Sequence, residues 1–211
     1  MSQDRGRGIL FVLSAPSGTG KTTIAEYIIA NVPGITRSIS HTTRRIRAGE
    51  MNGRDYIFID KSKFDAMVKT GEFVEHAKVH ENNYGTAASS IYVSPGTGSD
   101  KSDILLVIDI QGAAKIREKG LNAVLIFLLP PSMKELKRRM GKRGSEKQGE
   151  IEIRLKTAKK EMGACSLYDY IVVNDELETA CREVENIIRA ERSKKARQSL
   201  RFPDYETPPL S

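Results

Sequence analysis

The chain has 211 residues, 39% hydrophobic and 29% charged, with a formal net charge of +7 at pH 7. No apolar run approaches the ~20 residues of a membrane span; the two cysteines make neither a disulfide framework nor a zinc site, and the polar start MSQDRGRG leads into an apolar run too short for a secretion signal, so a cytoplasmic protein with reduced thiols is expected. The basic balance attracts polyanions, nucleotides and nucleic acids alike, but no recognisable RNA-binding module accompanies it, and no nucleic-acid partner is expected.

Ile9-Leu10-Phe11-Val12-Leu13 is short and continuously apolar, the mark of a strand covered on both faces. SAPSGTGKTT (14–23) follows at once. Gly18 and Gly20 let the backbone curl so that successive N–H groups aim inward at a polyphosphate. A helix over 22–31, apolar at Ile24, Ala25, Ile28 and Ile29, adds its positive end at the same spot. Lys21 sets an ammonium against the outer phosphates, and the Thr22 hydroxyl can ligate Mg²⁺. The general pattern G-x-x-x-x-G-K-[ST] begins here with Ala15, which is harmless where its φ is negative. The plainer alternative is a Gly/Ser-rich turn with a chance lysine. The strand before and the amphipathic segment after favour a nucleotide site.

Further along, 36–39 completes the set of strands, and residues 40–97 change texture. Short alternating runs (Tyr56-Ile57-Phe58-Ile59; Phe73-Val74-Glu75-His76) and one short helix over 62–70 predict a small inserted domain with antiparallel strands. SPGTGSDKSD (94–103) is loop chemistry. Apolar runs at 104–108, 124–129 and 170–173 read as parallel strands, and segments 112–118, 132–141 and 176–193 as helices. The alternation predicts an α/β fold with a doubly wound parallel sheet. Residues 131–154 are charge-dense with few large apolar side chains and read as a mobile flap, not core. The tail 202–211 reads as loose, and no internal repeat is present. Positive residues cluster at 37–54, 134–147 and 189–201, the last of these reading as a solvated helix end.

The block from Ser38 to Tyr56, SISHTTRRIRAGEMNGRDY, is followed by FVEHA (73–77), NYGT (83–86), IDIQGA (108–113), LPPS (129–132), RRMGKRG (138–144) and IVVND (171–175). In this order and spacing the chain strongly resembles guanylate kinase, over roughly residues 9–192. The resemblance implies a P-loop nucleoside monophosphate kinase fold and transfer of the γ-phosphate of ATP to GMP, and to dGMP, with Mg²⁺. It implies a core of 1–39, 98–130 and 155–211, a GMP-binding domain at 40–97 and a lid at 131–154. ATP would be held by Ala15, Pro16, Ser17, Gly18, Thr19, Gly20, Lys21, Thr22 and Thr23, with Arg139, Arg143 and Asn174. Ser40, Arg44, Arg47, Glu50, Tyr56, Glu75, Tyr84, Thr86 and Asp109 would line the GMP site, and Lys21, Arg44, Arg139, Arg143 and Arg154 would be catalytic. Either a monomer or a homo-oligomer is compatible with it.

The chemistry of these residues agrees with such a carry-over. Arg44 and Arg47 offer forked donors, and Tyr56 and Tyr84 phenol hydroxyls, to a phosphate dianion. Guanine presents adjacent N1–H and N2–H₂ donors that a carboxylate accepts from, whereas adenine N1 is an acceptor. Glu75 and Asp109 are the candidate readers, with Ser40 in support. Taken singly, Glu75 reads as a surface strand residue and Asp109 as a strand-end cap. Lys134, Lys137, Arg138 and Lys142 read as a solvated face, and His76 and His80, without a third ligand, as no metal site.

Two departures from the family stand out. A DID-like pattern usual before the QG has lost its first acid to Val107, and a helix usual at 87–103 is broken early by Val93-Ser94-Pro95-Gly96. Rival readings are a non-catalytic guanylate-kinase-like binding module, which typically lacks the intact phosphate loop and lid arginines present here, and a kinase for another phosphorylated small molecule.

Overall fold

A computed structural model of the chain describes residues 8–79, 81–91, 102–141 and 148–197. The apolar runs become strands β1 (Leu10–Ser14), β2 (Ile35–Arg37), β7 (Asp103–Val107), β8 (Ala123–Leu129) and β9 (Tyr170–Val173), in an all-parallel sheet of order β2-β7-β1-β8-β9. All five β1 residues are buried, as a central strand covered on both faces must be.

Helices α1 (Lys21–Asn31) and α6 (Leu177–Ser193) cover one face. Ile24, Ala25 and Ile28 meet Val184 and Ile188 there, over Phe11, Leu13 and Leu105. Cys181 is buried in this cluster, a plain packing thiol. Helix α3 (Ile110–Glu118) covers the other face, setting Ala113 and Ile116 against Val12, Leu106 and Leu125. This layering exposes the carboxyl ends of β1 and β7, where α/β sheets bind ligands.

The inserted segment forms β3 (His41–Thr42), β4 (Ile57–Phe58), α2 (Lys61–Lys69), β5 (Phe73–Val79) and β6 (Asn82–Ala87). Its sheet, of order β4-β3-β6-β5, is mixed: β5/β6 and β3/β6 are antiparallel as expected, but β3/β4 are parallel. Phe64, Met67, Phe73 and Ala87 give it a core of its own. Val74, the next residue on β5, belongs instead to the α3 side of the main core, so β5 joins the two sheets.

Three expectations change. The flap at 131–154 contains α4 (Met133–Gly141) and the start of α5 (Gln148–Met162), which runs on past residue 154. Leu136, Met140 and Ala158 are buried between these helices, so a few apolar side chains at helical spacing suffice for a small core. Asp103, read as loop, begins β7 and is buried; its carboxylate accepts from the Ile9 N–H at 2.6 Å and pairs with Arg192 at 2.7 Å. The basic end of α6 is solvated only in part: Arg189 and Lys194 stay exposed while pairing with Glu185 and the buried Glu191, whereas Arg192 and Arg197 are partly buried on Asp103 and Glu191. After β6 the chain makes a 3₁₀ turn, Ala88–Ser90, and the expected break at Val93-Ser94-Pro95-Gly96 lies outside the described residues. Most of 94–103, the tail 202–211 and His80 lie outside the described residues.

Candidate active site

The turn after β1 is a phosphate-binding loop in geometry as well as sequence. Gly20 caps α1 with φ 101°, a left-handed conformation that disfavours a side chain. A Cβ there would also lie 2.5 Å from Asn174 Nδ2, which donates to the Thr19 carbonyl at 2.6 Å. Asn174, just after β9, thus braces the loop from beneath and is itself buried. Gly18 lies under Met140 and Leu136, so α4 roofs the loop.

The loop opens onto a cavity of about 820 Å³. Ala15, Pro16, Ser17, Gly18, Gly20, Lys21, Thr22 and Thr23 form one wall. Ser40, Arg47, Tyr56, Glu75, Tyr84 and Asp109 form another, and Arg154 of α5 closes it with its guanidinium 2.5 Å from Ser17 Oγ. Residues more than a hundred positions apart thus share one space.

Lys21 Nζ donates to the Ile108 carbonyl at 3.2 Å. Burial pushes its ammonium below the usual lysine range, opposed by the carboxylates of Asp109 and Glu161. Asp109 caps α3, accepting from the Gly112 N–H at 2.9 Å, and its side chain lines the cavity as well. Glu75 is buried, not the surface strand residue its position alone suggests. Burial raises its pKa to about 7; nearby Asp109 adds to this, and the Thr86 hydroxyl, donating to Oε1 at 2.6 Å, opposes it together with Lys115.

Gly112 is a close approach. A Cβ on it would sit 2.6 Å from Glu75 Oε2 and 3.2 Å from Ile108 Cδ1. We expect Gly112→Ala to displace the Glu75 carboxylate and to lower stability by about 1–3 kcal/mol in urea denaturation. Unchanged stability would show that β5 and α3 are less tightly packed than described.

Several expected site residues stand behind the wall. Arg44 forks onto Glu50 at 2.7 and 3.0 Å, with its guanidinium over the Tyr56 ring, and Glu50 also accepts from the Arg47 N–H. Tyr56 and Tyr84 meet edge to face at 5.8 Å. Arg139 donates to the carbonyls of Asn174 (2.9 Å) and Asp175 (3.1 Å) and pairs with Glu135. With Arg138 it holds the Glu135 carboxyl down to about 2. Arg143 lies outside the described residues. His41 and His76 pack against Phe73, and burial lowers both imidazoles.

The sequence reading missed Glu161 and Thr157, cavity-lining residues on α5, and Ile108 just after β7; Val107, singled out in the sequence as a lost acid, lines the cavity too. Glu161 had no local signal, being one acid in a charged stretch.

Among the described residues, no group of three His, Cys, Asp or Glu side chains could hold a metal ion, and no helix is long and apolar enough to cross a membrane. Comparison with known proteins gives a consistent result. The sequence profile of the guanylate kinase family matches residues 7–191. A guanylate kinase of Nitrosomonas europaea is 47% identical over 192 residues, 91% of this chain and 94% of its own. One of Rhodopseudomonas palustris (strain HaA2) is 45% identical over 193 residues, 91% of this chain and 86% of its own. The crystal structure of guanylate kinase from Anaplasma phagocytophilum aligns with a TM-score of 0.72 at 38% identity, covering 92% of this chain and 91% of that one.

Proposed function

The chain belongs to the guanylate kinase family of phosphotransferases, and on that premise we propose that it moves the γ-phosphate of ATP to GMP, and to dGMP, giving ADP and GDP or dGDP. The observation that carries this reading is the single cavity on which Lys21 of the phosphate loop and Glu75 of the small sheet both open. A donor triphosphate on the loop and an acceptor purine at Glu75 would meet end to end in it.

In this reading residues 40–97 bind the acceptor, and the α4–α5 region within 131–154 acts as the lid. The loop N–H groups, Lys21 and Arg154 surround the donor phosphates, with Asn174 and Arg139 fixing the loop and lid around them. Arg47, Tyr56 and Tyr84 take the acceptor phosphate, and Glu50 holds Arg44 in place beside them. Glu75, Asp109 and Ser40 read the guanine, with Thr86 orienting Glu75. An acceptor phosphate oxygen attacks the γ-phosphorus, and the bond from that phosphorus to the β–γ bridging oxygen breaks as ADP leaves. No general base is required, because the attacking phosphate is already an anion. Cations along the path offset the charge that accumulates, and closure over the cavity excludes water.

The donor set here suits Mg²⁺. Thr22, which carries a hydroxyl, lines the cavity, and with no group of three metal-ligating side chains among the described residues the remaining positions would fall to phosphate oxygens and water, which is how Mg²⁺ is commonly held. When bound, the ion would neutralise the β- and γ-phosphates.

The test is ADP release from ATP with GMP, dGMP, AMP, CMP or UMP as acceptor. GMP should exceed AMP in kcat/KM by about 10³-fold or more, since adenine would leave buried acceptors unpaired. Turnover of AMP above GMP would overturn the guanine assignment, and turnover of none would favour a binding module.

A further inference from the structure

Arg37 belongs to none of the motifs considered so far. It ends β2, opposite Leu105 of β7. Side chains two apart on a strand share a face. Ile35 and Leu105 both enter the core beneath α1, so Arg37 leaves the sheet on that face, just past the end of the core.

Its surroundings leave one guanidinium donor, Nε, unsatisfied. Nε is buried and has no hydrogen-bond partner, and Arg37 makes no ion pair among the described residues. Its neighbour one step along β7 on the same face is Val107, which lines the cavity; Arg37 itself stands just behind that lining. The charge of Arg37 is felt on two sides. It presses Lys21 of the phosphate loop towards the neutral form, and it acts on Asp55 and Tyr56 at the rim of the small sheet. Asp55 is already engaged by Arg54 at 2.8 Å and by the Met51 N–H.

A half-buried guanidinium with an orphaned N–H, in the field of a desolvated lysine, is unfavourable by itself. An anion arriving between the two would reverse that. A planar fork matches the oxygens of a phosphate, and the stretch between Lys21 and Tyr56 is where the two nucleotides would meet.

We propose that Arg37 is a further phosphate-binding residue of this site, donating its guanidinium to the phosphate of the acceptor nucleotide between Lys21 and Tyr56. The assignment rests on the reading of the cavity as a GMP:ATP site. It makes Arg37 a binding residue of the acceptor arm, not of the donor arm.

Steady-state kinetics of Arg37→Met and Arg37→Lys, each nucleotide varied in turn, test it alongside the unsubstituted protein. R37M should raise KM for GMP about tenfold or more and leave KM for ATP within about twofold, with R37K recovering part of the loss. Calorimetric binding of GMP without ATP should weaken by a similar factor. If the unsubstituted protein phosphorylates GMP and R37M matches it, or loses ATP and GMP equally, the Arg37 assignment is wrong while the cavity reading stands. If the unsubstituted protein does not phosphorylate GMP, both are wrong. Should R37M not fold, the Arg37 Nε–Hε resonance of the unsubstituted protein, assigned by its loss in R37K, decides: it should shift on adding GMP alone, and a resonance that stays put overturns the proposal.

Discussion

Lys21→Ala should lower kcat by about 10²–10³-fold while leaving the fold in place. Lys21 begins α1 at the end of the phosphate loop, and charged groups act on it. Nζ donates to the Ile108 carbonyl at 3.2 Å. Burial works against its charge, and the carboxylates of Asp109 and Glu161 work for it. Such a group contributes little to folding, because its desolvation offsets its ion-pair gain. The thermal midpoint should therefore move by only a few degrees (1 kcal/mol corresponds to roughly 2–4 °C in a domain of this size). The loss should fall on turnover more than on binding, since charge grows along the transfer path as the phosphoryl group moves. Full activity in the alanine variant would mean that the loop does not cradle the reacting phosphates; a collapse of the fold would mean that Lys21 is structural.

Glu75→Gln should have a comparably large effect, on selectivity. Glu75 Oε1 is occupied by the Thr86 hydroxyl at 2.6 Å, and Oε2 faces the closely packed Gly112. A carboxylate accepts from both guanine donors, whereas an amide turns an N–H towards one of them. We expect kcat/KM for GMP to fall by about 10²–10³-fold, and the preference over AMP to narrow by a similar factor. The same substitution has an opposite effect on stability. The folded-state pKa of about 7 lies above the ordinary carboxylate value of 4.5, so protonation favours the folded protein. The cost of ionising Glu75 is absent below about pH 4.5, grows as pH rises towards 7, and is fully present above it. Glu75→Gln should accordingly raise stability at pH 8, by up to about 3 kcal/mol, and leave it unchanged at pH 4. In the unsubstituted protein, KM for GMP should rise as pH falls below about 7, and the variant should lack that dependence. Urea denaturation and kinetics at the two pH values check both. A variant that still prefers GMP as strongly as before would remove Glu75 from guanine recognition.

Much of the molecule was legible where the signal is local. The phosphate loop is one uninterrupted decapeptide between an apolar run and an amphipathic one, and it needs no distant contact to be read. The strands β1, β7 and β8 announced themselves by continuous apolar runs, because both of their faces are covered; β9, at the sheet edge, carries such a run although Ile171 and Val173 are exposed. Strand β6 was less visible: Asn82-Asn83-Tyr84-Gly85-Thr86-Ala87 holds poor strand formers, and its pairing with β5 and β3 makes it a strand. Helix α5 was hidden by its charge density, since only Ile151, Leu155 and Ala158 mark its buried side.

What the amino-acid order determined by itself is the loop, the strand–helix alternation and, through resemblance, the family: each rests on neighbours in the chain. Tertiary structure decided which side chains face one another across the cavity. Burial and charge depend on residues far apart in sequence, so nothing local distinguishes the buried Glu75 from a surface acid. Nor does anything local bring Glu161 to Lys21, or leave Arg37 Nε without a hydrogen-bond partner among the described residues. Desolvation and Coulomb attraction are properties of distance in space, and folding sets those distances.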